Sequence, residues 1–186
     1  MLEMQQACDE AVVQAAKQIC MAAVTAPKAC GRDTVTCGVL TGDEVRRLAE
    51  EMVRMEREVP NCKPIFVREA ELVSQCPAVV LLGCRGQSRG LTPCGLCGHE
   101  NCGACHAAGG HCAFDDMDLG IAIGSACAMA ADLRVDNRVL YTAGMAAMGM
   151  KLLGEDVDTI MVLPLSATNQ NIFFIRQKHV CAPESK

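Results

Sequence analysis

In the first third of the chain, hydrophobic positions repeat with two different periods, one typical of helices and one typical of strands. Residues 3–24 carry apolar side chains at helical spacing, and the helix is expected to end before Pro27 because the residue before a proline avoids the helical conformation. Residues 34–40 show the β-branched alternation of a strand. Thr41, followed three residues later by Glu44, forms a capping box, which predicts that Thr41 begins a second helix.

The rest of the chain continues this mixture of strands and helices. Residues 65–67 are expected to form a short strand, and the uninterrupted apolar run 78–82 predicts a buried one. A long, nearly uncharged helix is predicted over residues 116–132, with the nearby acidic residues Asp115, Asp116 and Asp118 expected to cap its start. Three further elements complete the pattern: strand 138–141, helix 143–153 and strand 158–163.

The length and the pattern together predict one domain. A chain of 186 residues can bury about 70% of its unfolded surface in a single core. Residues 1–182 are expected to form this domain and residues 183–186 a loose tail. Residues 84–113 fit neither period, and they are predicted to be a loop inserted between the strand at 78–82 and the long helix.

The inserted loop contains the residues that most clearly carry chemistry. Five of the chain's 14 cysteines lie in it, at Cys94, Cys97, Cys102, Cys105 and Cys112. Four thiolates can bind either zinc or an iron–sulfur cluster. Structural zinc sites usually separate two Cys-x-x-Cys pairs by about 12–20 residues, whereas only four residues separate Cys97 from Cys102. The short spacing favours an iron–sulfur cluster, and zinc stays open as the alternative metal.

Five cysteines compete for four positions around such a cluster. Cys97, Cys102 and Cys105 match the first three ligands of a plant-type 2Fe-2S site, but that assignment leaves out Cys94, which pairs closely with Cys97. Our preferred ligands are therefore Cys94, Cys97, Cys102 and Cys112, with Cys105 as an alternate. The neighbouring residues His99, His106 and His111 are expected to face solvent or to lie beside the site, although a zinc site could use His99.

Composition and charge exclude several classes of function. A net charge of −5 and a pI near 5.4 argue against nucleic-acid binding, because no basic surface is available to neutralise phosphates. No apolar run reaches the length of about 18 residues that a membrane helix needs. Motifs for hydrolysis or phosphoryl transfer, such as a P-loop or His-Glu-x-x-His, are missing from the sequence.

The remaining nine cysteines are scattered among apolar residues, in a chain longer than most disulfide-rich proteins: Cys8, Cys20, Cys30, Cys37, Cys62, Cys76, Cys84, Cys127 and Cys181. They are expected to be small buried hydrophobic residues in a compartment where thiols stay reduced. The first residues are acidic and lack the pattern of a secretory signal. We therefore expect a cytoplasmic protein, and an anaerobic source organism is a further hypothesis.

The cysteine pattern resembles a known cluster-binding module. Cys94-Gly-x-Cys97-Gly-x-x-x-Cys102, with Cys112 ten residues further on, is similar to the small 4Fe-4S module of the Rnf electron-transport complex and of corrinoid iron–sulfur proteins. Nearly the whole chain resembles a bacterial and archaeal family of uncharacterised proteins that contain a ferredoxin domain. The segments that carry this second resemblance are the cysteine loop, 26–33, 118–126, 136–138, 164–166 and 171–176.

A weaker resemblance is to the nitroreductases, whose order of elements looks like the one predicted here. It implies an α+β sandwich of helices and a mainly antiparallel sheet, a homodimer, and flavin mononucleotide (FMN) at the dimer interface. The basic opening that usually binds the flavin phosphate is missing from residues 1–20. Lys28 and Arg138 are the residues that could replace it.

Three functions follow as hypotheses. The first is an iron–sulfur redox protein that transfers single electrons, in one version through a flavin to a small organic acceptor. The second is a non-enzymatic iron–sulfur sensor, and the third is a zinc-stabilised interaction domain.

Overall fold

The computed structural model describes residues 1–174 and has an antiparallel sheet between two layers of helices. The prediction for the tail at 183–186 lies outside the described residues. The helices are α1 (Met4–Thr25), α2 (Asp43–Glu58), α3 (Phe66–Val73), α4 (Cys102–Ala107), α5 (Ala113–Asp132) and α6 (Tyr141–Gly149). The strands are β1 (Val35–Thr41), β2 (Ala78–Cys84), β3 (Asp136–Asn137) and β4 (Thr159–Ser166).

The sheet has the strand order β1-β2-β4-β3, and every pairing is antiparallel. All seven residues of β2 are buried, because β2 lies between two strands and is covered by helices on both faces. The side chains of Val80 and Leu82 join a core with α1 and α5, whereas those of Val79 and Leu81 join a second core with α2, α3 and α6. The uninterrupted apolar run that marks this strand in the sequence follows from burial on both faces.

Three predicted elements differ from the structure. The strand expected at 138–141 is absent there: β3 comprises only Asp136–Asn137, and Tyr141 already begins α6. Residues 65–67 are not a strand, because Phe66 begins helix α3 and its ring is buried with Ala70 and Val73 on one helical face. Three apolar residues in a row are too few to distinguish the two periods. Helix α2 begins at Asp43 with Gly42 as its N-cap, so the prediction of Thr41 as the cap is wrong, although its backbone N–H still lies 3.4 Å from the Glu44 carboxylate.

The long helix begins three residues earlier than expected, directly after the cysteine loop. Helix α5 starts at Ala113, with Cys112 as its N-cap residue. The carbonyl oxygen of Cys112 accepts the backbone N–H groups of Asp115 and Asp116, at 2.8 and 3.3 Å. The chain leaves the sheet at Cys84, the last residue of β2, and re-enters the helical layer at this cap. Residues 85–112, the cysteine loop, therefore lie at one end of the sheet.

No helix in the described part of the chain combines the length and the apolar character needed to cross a membrane.

Candidate metal centre in the cysteine loop

All five cysteines of the loop line a single pocket. Its wall is formed by the cysteine side chains together with Ser88, Gly95, Leu96, His99, Asn101, Ala113 and Phe114, and the accessible lining is almost entirely apolar. Cys105 and Cys112 are buried, and the other three thiols are half-buried. The fold thus brings together every residue that the sequence proposed as a metal ligand.

Local backbone features hold the thiols in place. Gly98 adopts a positive φ of 81°, which a residue with a side chain would rarely adopt, and its N–H donates to the carbonyl oxygen of Gly95 at 2.9 Å. Cys97 lies within this turn, and Cys94 directly precedes it. Asn101 then caps the short helix α4 by accepting the N–H of Ala104 at 2.9 Å, so that Cys102 and Cys105 lie one helical turn apart.

The environment of Cys97 favours a thiolate. The backbone N–H of His99 donates to its sulfur, and this hydrogen bond is the main reason why the pKa of Cys97 is lowered. A hydrogen bond from the thiol of Cys105 acts in the same direction. Backbone N–H groups directed at cysteine sulfur are the contacts that stabilise the charge of a metal-bound thiolate.

The environment of Cys105 favours the neutral thiol. Burial is the largest cause of its raised pKa, and the neighbouring thiols of Cys97, Cys112 and Cys102 raise it further. The Cys105 thiol also donates to the carbonyl oxygen of His111 at 3.4 Å. Cys105 is therefore close to three of the proposed ligands, and its protonated thiol is hydrogen-bonded to a backbone carbonyl group.

The three histidines lie in different surroundings. His99 lines the pocket, and its Nε2 would be only 3.0 Å from a methyl group added at Gly110. His111 lies beside the pocket, with its Nδ1 atom 3.5 Å from the Thr159 hydroxyl and 3.8 Å from the Asp116 carboxylate. His106 is exposed. His99 is thus the histidine that could bind a metal together with the cysteines.

A buried ion-pair network holds the loop against the long helix. One guanidinium nitrogen of Arg89, Nη2, lies 2.6 Å from Asp115 Oδ1, 2.6 Å from Asp118 Oδ2 and 2.9 Å from the Thr34 hydroxyl. The side chain of Arg89 is 1% exposed and those of the two aspartates 0% and 4%. Burial alone would lower the pKa of Arg89, but the hydrogen bonds to Asp118 and Asp115 outweigh it and the pKa is raised.

Backbone groups complete this network. The N–H of Gln87 donates to Asp115 Oδ2 at 2.9 Å, and Arg89 donates to the carbonyl oxygen of Gln87 at 3.0 Å. The N–H of Ala29 donates to both oxygens of Asp118 at 3.0 Å. The Nε of Arg89 is buried without a hydrogen-bond partner among the described residues. These contacts fix the start of the loop to α5 and to the segment before β1.

Sequence reasoning missed this network. It expected Asp115, Asp116 and Asp118 to cap α5, whereas Asp115 and Asp118 are buried and paired with Arg89. The signal was present, because residues 115 and 118 share a helical face with the apolar residues Leu119 and Ala122. Carboxylates on an apolar face need a buried cationic partner.

The two residues predicted to bind a flavin phosphate both contact protein groups. Lys28 Nζ lies 3.1 Å from the carbonyl oxygen of Ala23 at the end of α1 and 3.8 Å from Asp33. Arg138 donates to the carbonyl oxygen of Phe173 at 3.2 Å, and its guanidinium lies 5.7 Å from the centre of the Phe174 ring. Flavin binding by Lys28 and Arg138 stays a prediction.

The described residues contain no group of three or more His, Cys, Asp or Glu side chains arranged for a single metal ion. The case for a metal centre therefore depends on the five thiols that share one pocket. An iron–sulfur cluster is held by four cysteines around a group larger than a single ion.

Solved structures identify the fold as that of the nitroreductases. The chain is similar to an FMN-bound nitroreductase from Desulfitobacterium hafniense, with a TM-score of 0.58 and 15% identity over 84% of this chain and 78% of the other. It is equally similar to the FMN-dependent nitroreductase NfnB from Mycobacterium smegmatis, with a TM-score of 0.59 and 10% identity over the same shares, 84% and 78%. The predicted α+β nitroreductase-like sandwich is confirmed.

The chain belongs to the family of uncharacterised proteins containing a ferredoxin domain (DUF2148), whose model matches residues 108–176. A relative from Archaeoglobus fulgidus, described as an uncharacterized protein, is 35% identical over 176 residues, which cover 90% of this chain and 93% of the relative. The resemblance to this family is thereby confirmed. The matched region of the family model includes Cys112 and begins after the other four cysteines of the loop.

Proposed function

We propose that this protein is an iron–sulfur redox protein in which Cys94, Cys97, Cys102 and Cys112 bind a 4Fe-4S cluster. Such a cluster, when bound, takes up and releases single electrons. The observation that carries the proposal is the common pocket that the five loop thiols line. Membership of a family with a ferredoxin domain and a fold shared with flavin-dependent oxidoreductases supports a redox role.

The contacts of the individual thiols support this choice of four ligands. Cys97 accepts a backbone N–H, as a bound thiolate does. Cys105 instead donates to the carbonyl oxygen of His111, a contact that a metal-bound thiolate cannot make. Cys112 lies at the amino-terminal end of a 20-residue helix, where the exposed N–H groups favour negative charge in the pocket. We therefore place Cys105 beside the cluster rather than on it.

The protein's own residues would shape the chemistry of the bound group. The pocket lining is almost entirely apolar, and the N–H···S contact at Cys97 would stabilise negative charge on the bound thiolate. The half-buried thiols of Cys94 and Cys97 leave one side of the pocket near the surface. Electrons could enter or leave the protein from this side.

The test is to replace each of the five cysteines by alanine and to measure bound iron and sulfide after anaerobic purification. The intact protein is expected to bind about four iron and four sulfide per chain. Replacing any of the four proposed ligands should abolish iron binding, whereas Cys105→Ala should retain it. Cys30→Ala, at an exposed cysteine outside the loop, is the matched control.

Different results would contradict different parts of the proposal. Loss of iron in Cys105→Ala with retention in Cys112→Ala would show that the ligand set is wrong. A colourless protein with one zinc ion per chain would exclude the redox function and favour the interaction domain. A cluster that binds but passes no electrons to a one-electron dye would favour the non-enzymatic sensor.

Flavin binding is a separate part of the proposal and rests on the fold alone. Anaerobically purified protein with bound FMN should show absorption bands at about 370 and 450 nm in addition to the cluster. If these bands appear, Lys28→Ala and Arg138→Ala test whether the two residues bind its phosphate. The homodimer implied by the nitroreductase resemblance is likewise proposed, and light scattering on the eluted protein tests it.

A further inference from the structure

Two cysteines outside the loop meet where α1 packs on β1. Cys20 lies on α1 and Cys37 on β1, so 16 residues separate them in the sequence. Cys37 Sγ lies 3.9 Å from the carbonyl oxygen of Cys20. The two thiols are close enough that each changes the pKa of the other. Both side chains are half-buried, so reagents in solution can reach them.

The two thiols differ in their tendency to ionise. The hydrogen bond from Cys20 is the largest cause that lowers the pKa of Cys37, to about 7, and the charge of Lys28 lowers it further against burial and Asp33. The same hydrogen bond, together with burial, raises the pKa of Cys20. Cys37 is therefore the thiol of the pair that ionises first, and Cys20 keeps its proton to higher pH, the division of roles found in thiol pairs that exchange disulfides.

Other cysteines outside the loop have different surroundings. Cys76 is buried, its thiol contacts the carbonyl oxygen of Leu72 at 3.2 Å, and burial raises its pKa to about 12. Burial likewise raises the pKa of Cys127 on α5. These two behave as the small hydrophobic residues expected from the sequence, whereas Cys37 lies against Cys20 and each thiol changes the pKa of the other.

We propose that Cys20 and Cys37 are a reversible modification site that forms a disulfide by exchange with a small-molecule disulfide. The bond would join α1 to β1 and is independent of any metal in the cysteine loop. The approach of Cys37 Sγ to the backbone of Cys20 is the starting geometry, because rotation of the two side chains could then bring the sulfur atoms to the bond length of about 2 Å.

The exchange takes place in two balanced steps. The Cys37 thiolate attacks one sulfur of the small disulfide, forming a mixed disulfide and releasing one small thiolate. Cys20 then loses its proton and attacks Cys37 Sγ, which releases the second small thiolate. Two protein thiols are thereby oxidised to one disulfide, and the small disulfide is reduced by two electrons to two thiols.

The sequence makes this bond easy to detect. Cleavage after lysine and arginine places Cys20 alone on peptide 18–28 and Cys37 alone on peptide 33–46. The anaerobically purified full chain is incubated with mixtures of reduced and oxidised glutathione, alkylated, and digested without a reductant. The two peptides should appear linked, at a mass two hydrogens below their sum, as the oxidised fraction rises. Dithiothreitol should separate them again.

Single substitutions test the roles of the two residues. In Cys20→Ser, no second thiol is present to attack the mixed disulfide, so glutathione should remain attached to Cys37. In Cys37→Ser, Cys20 should stay alkylated at the same glutathione ratio. Cys30→Ser removes the exposed cysteine between them and should leave the linked peptide unchanged.

Two results would overturn the proposal. One is full alkylation of both peptides at ratios where exposed Cys30 already carries glutathione. The other is linkage of Cys20 or Cys37 mainly to other cysteines, which would indicate random oxidation of an unfolded chain.

Discussion

The central sheet and the cysteine loop keep their shapes by opposite means. Strand β2 is buried along all seven residues and hydrogen-bonded to a strand on each side, so many independent contacts fix its position. The loop, residues 85–112, contains only the six-residue helix α4. Its buried polar contacts with the core centre on the side chain of Arg89 and the carboxylates that surround it.

The difference predicts how each region responds to change. Hydrophobic burial is spread over many side chains, so that one substitution in the sheet removes part of its stability. In a buried ion pair, one substitution has a large effect on stability, since removing one partner leaves an unpaired charge in the interior. The loop should therefore be the region in which one substitution abolishes function while the core remains folded.

Arg89→Ala is expected to have the largest effect. It leaves Asp115 and Asp118 buried without their cation, which should cost about 3–5 kcal/mol of unfolding free energy. The same change frees the loop from α5, so iron binding should be lost. Urea denaturation followed by circular dichroism and iron analysis of the purified protein measure the two effects.

Arg85→Ala is the control for charge within the same loop. Arg85 pairs with Asp156 at 2.6 Å, but the two side chains are 29% and 67% exposed. Exposed pairs contribute about 0.2–1 kcal/mol, so stability and iron content should change little. Equal losses in the two variants would show that burial of the network around Arg89 does not distinguish the loop from the surface.

This contrast also explains what could be predicted from the sequence. The apolar run at 78–82 identified β2, because burial on both faces leaves a continuous local pattern. The cysteine spacing identified residues that share one pocket, since all five lie within one segment. The partners of Arg89 left no such pattern, because Thr34 and Asp115 are 55 and 26 residues away from it in the sequence.

Gly144→Ala tests the other region of the comparison, because it disturbs the packing of α6 against the sheet. A Cβ at this position of α6 would lie 2.0 Å from the carbonyl oxygen and 2.9 Å from the carbonyl carbon of Ile160 in β4. Both are backbone atoms of a paired strand and cannot move aside, so we expect a loss of about 3 kcal/mol. Iron per folded chain should be unchanged, as measured by iron analysis of the folded fraction.

Gly149→Ala is the matched control at the end of the same helix. Its added Cβ would meet only Glu51 Oε1, at 3.7 Å, which is an ordinary contact. The change in unfolding free energy should stay within about 0.5 kcal/mol. A large loss of stability in this variant as well would mean that the close approach of Gly144 to β4 is not what matters.

Gly120→Ala and Gly124→Ala should have the smallest effect, and in the opposite direction. Both glycines are exposed on α5, and nothing lies within 4 Å of an added Cβ. Alanine in a helix is about 0.5–1 kcal/mol more favourable than glycine, so each variant should unfold at a higher urea concentration. Loss of stability together with a shift from dimer to monomer would instead show that a second copy covers this face, and that α5 is held from outside as well as by the loop.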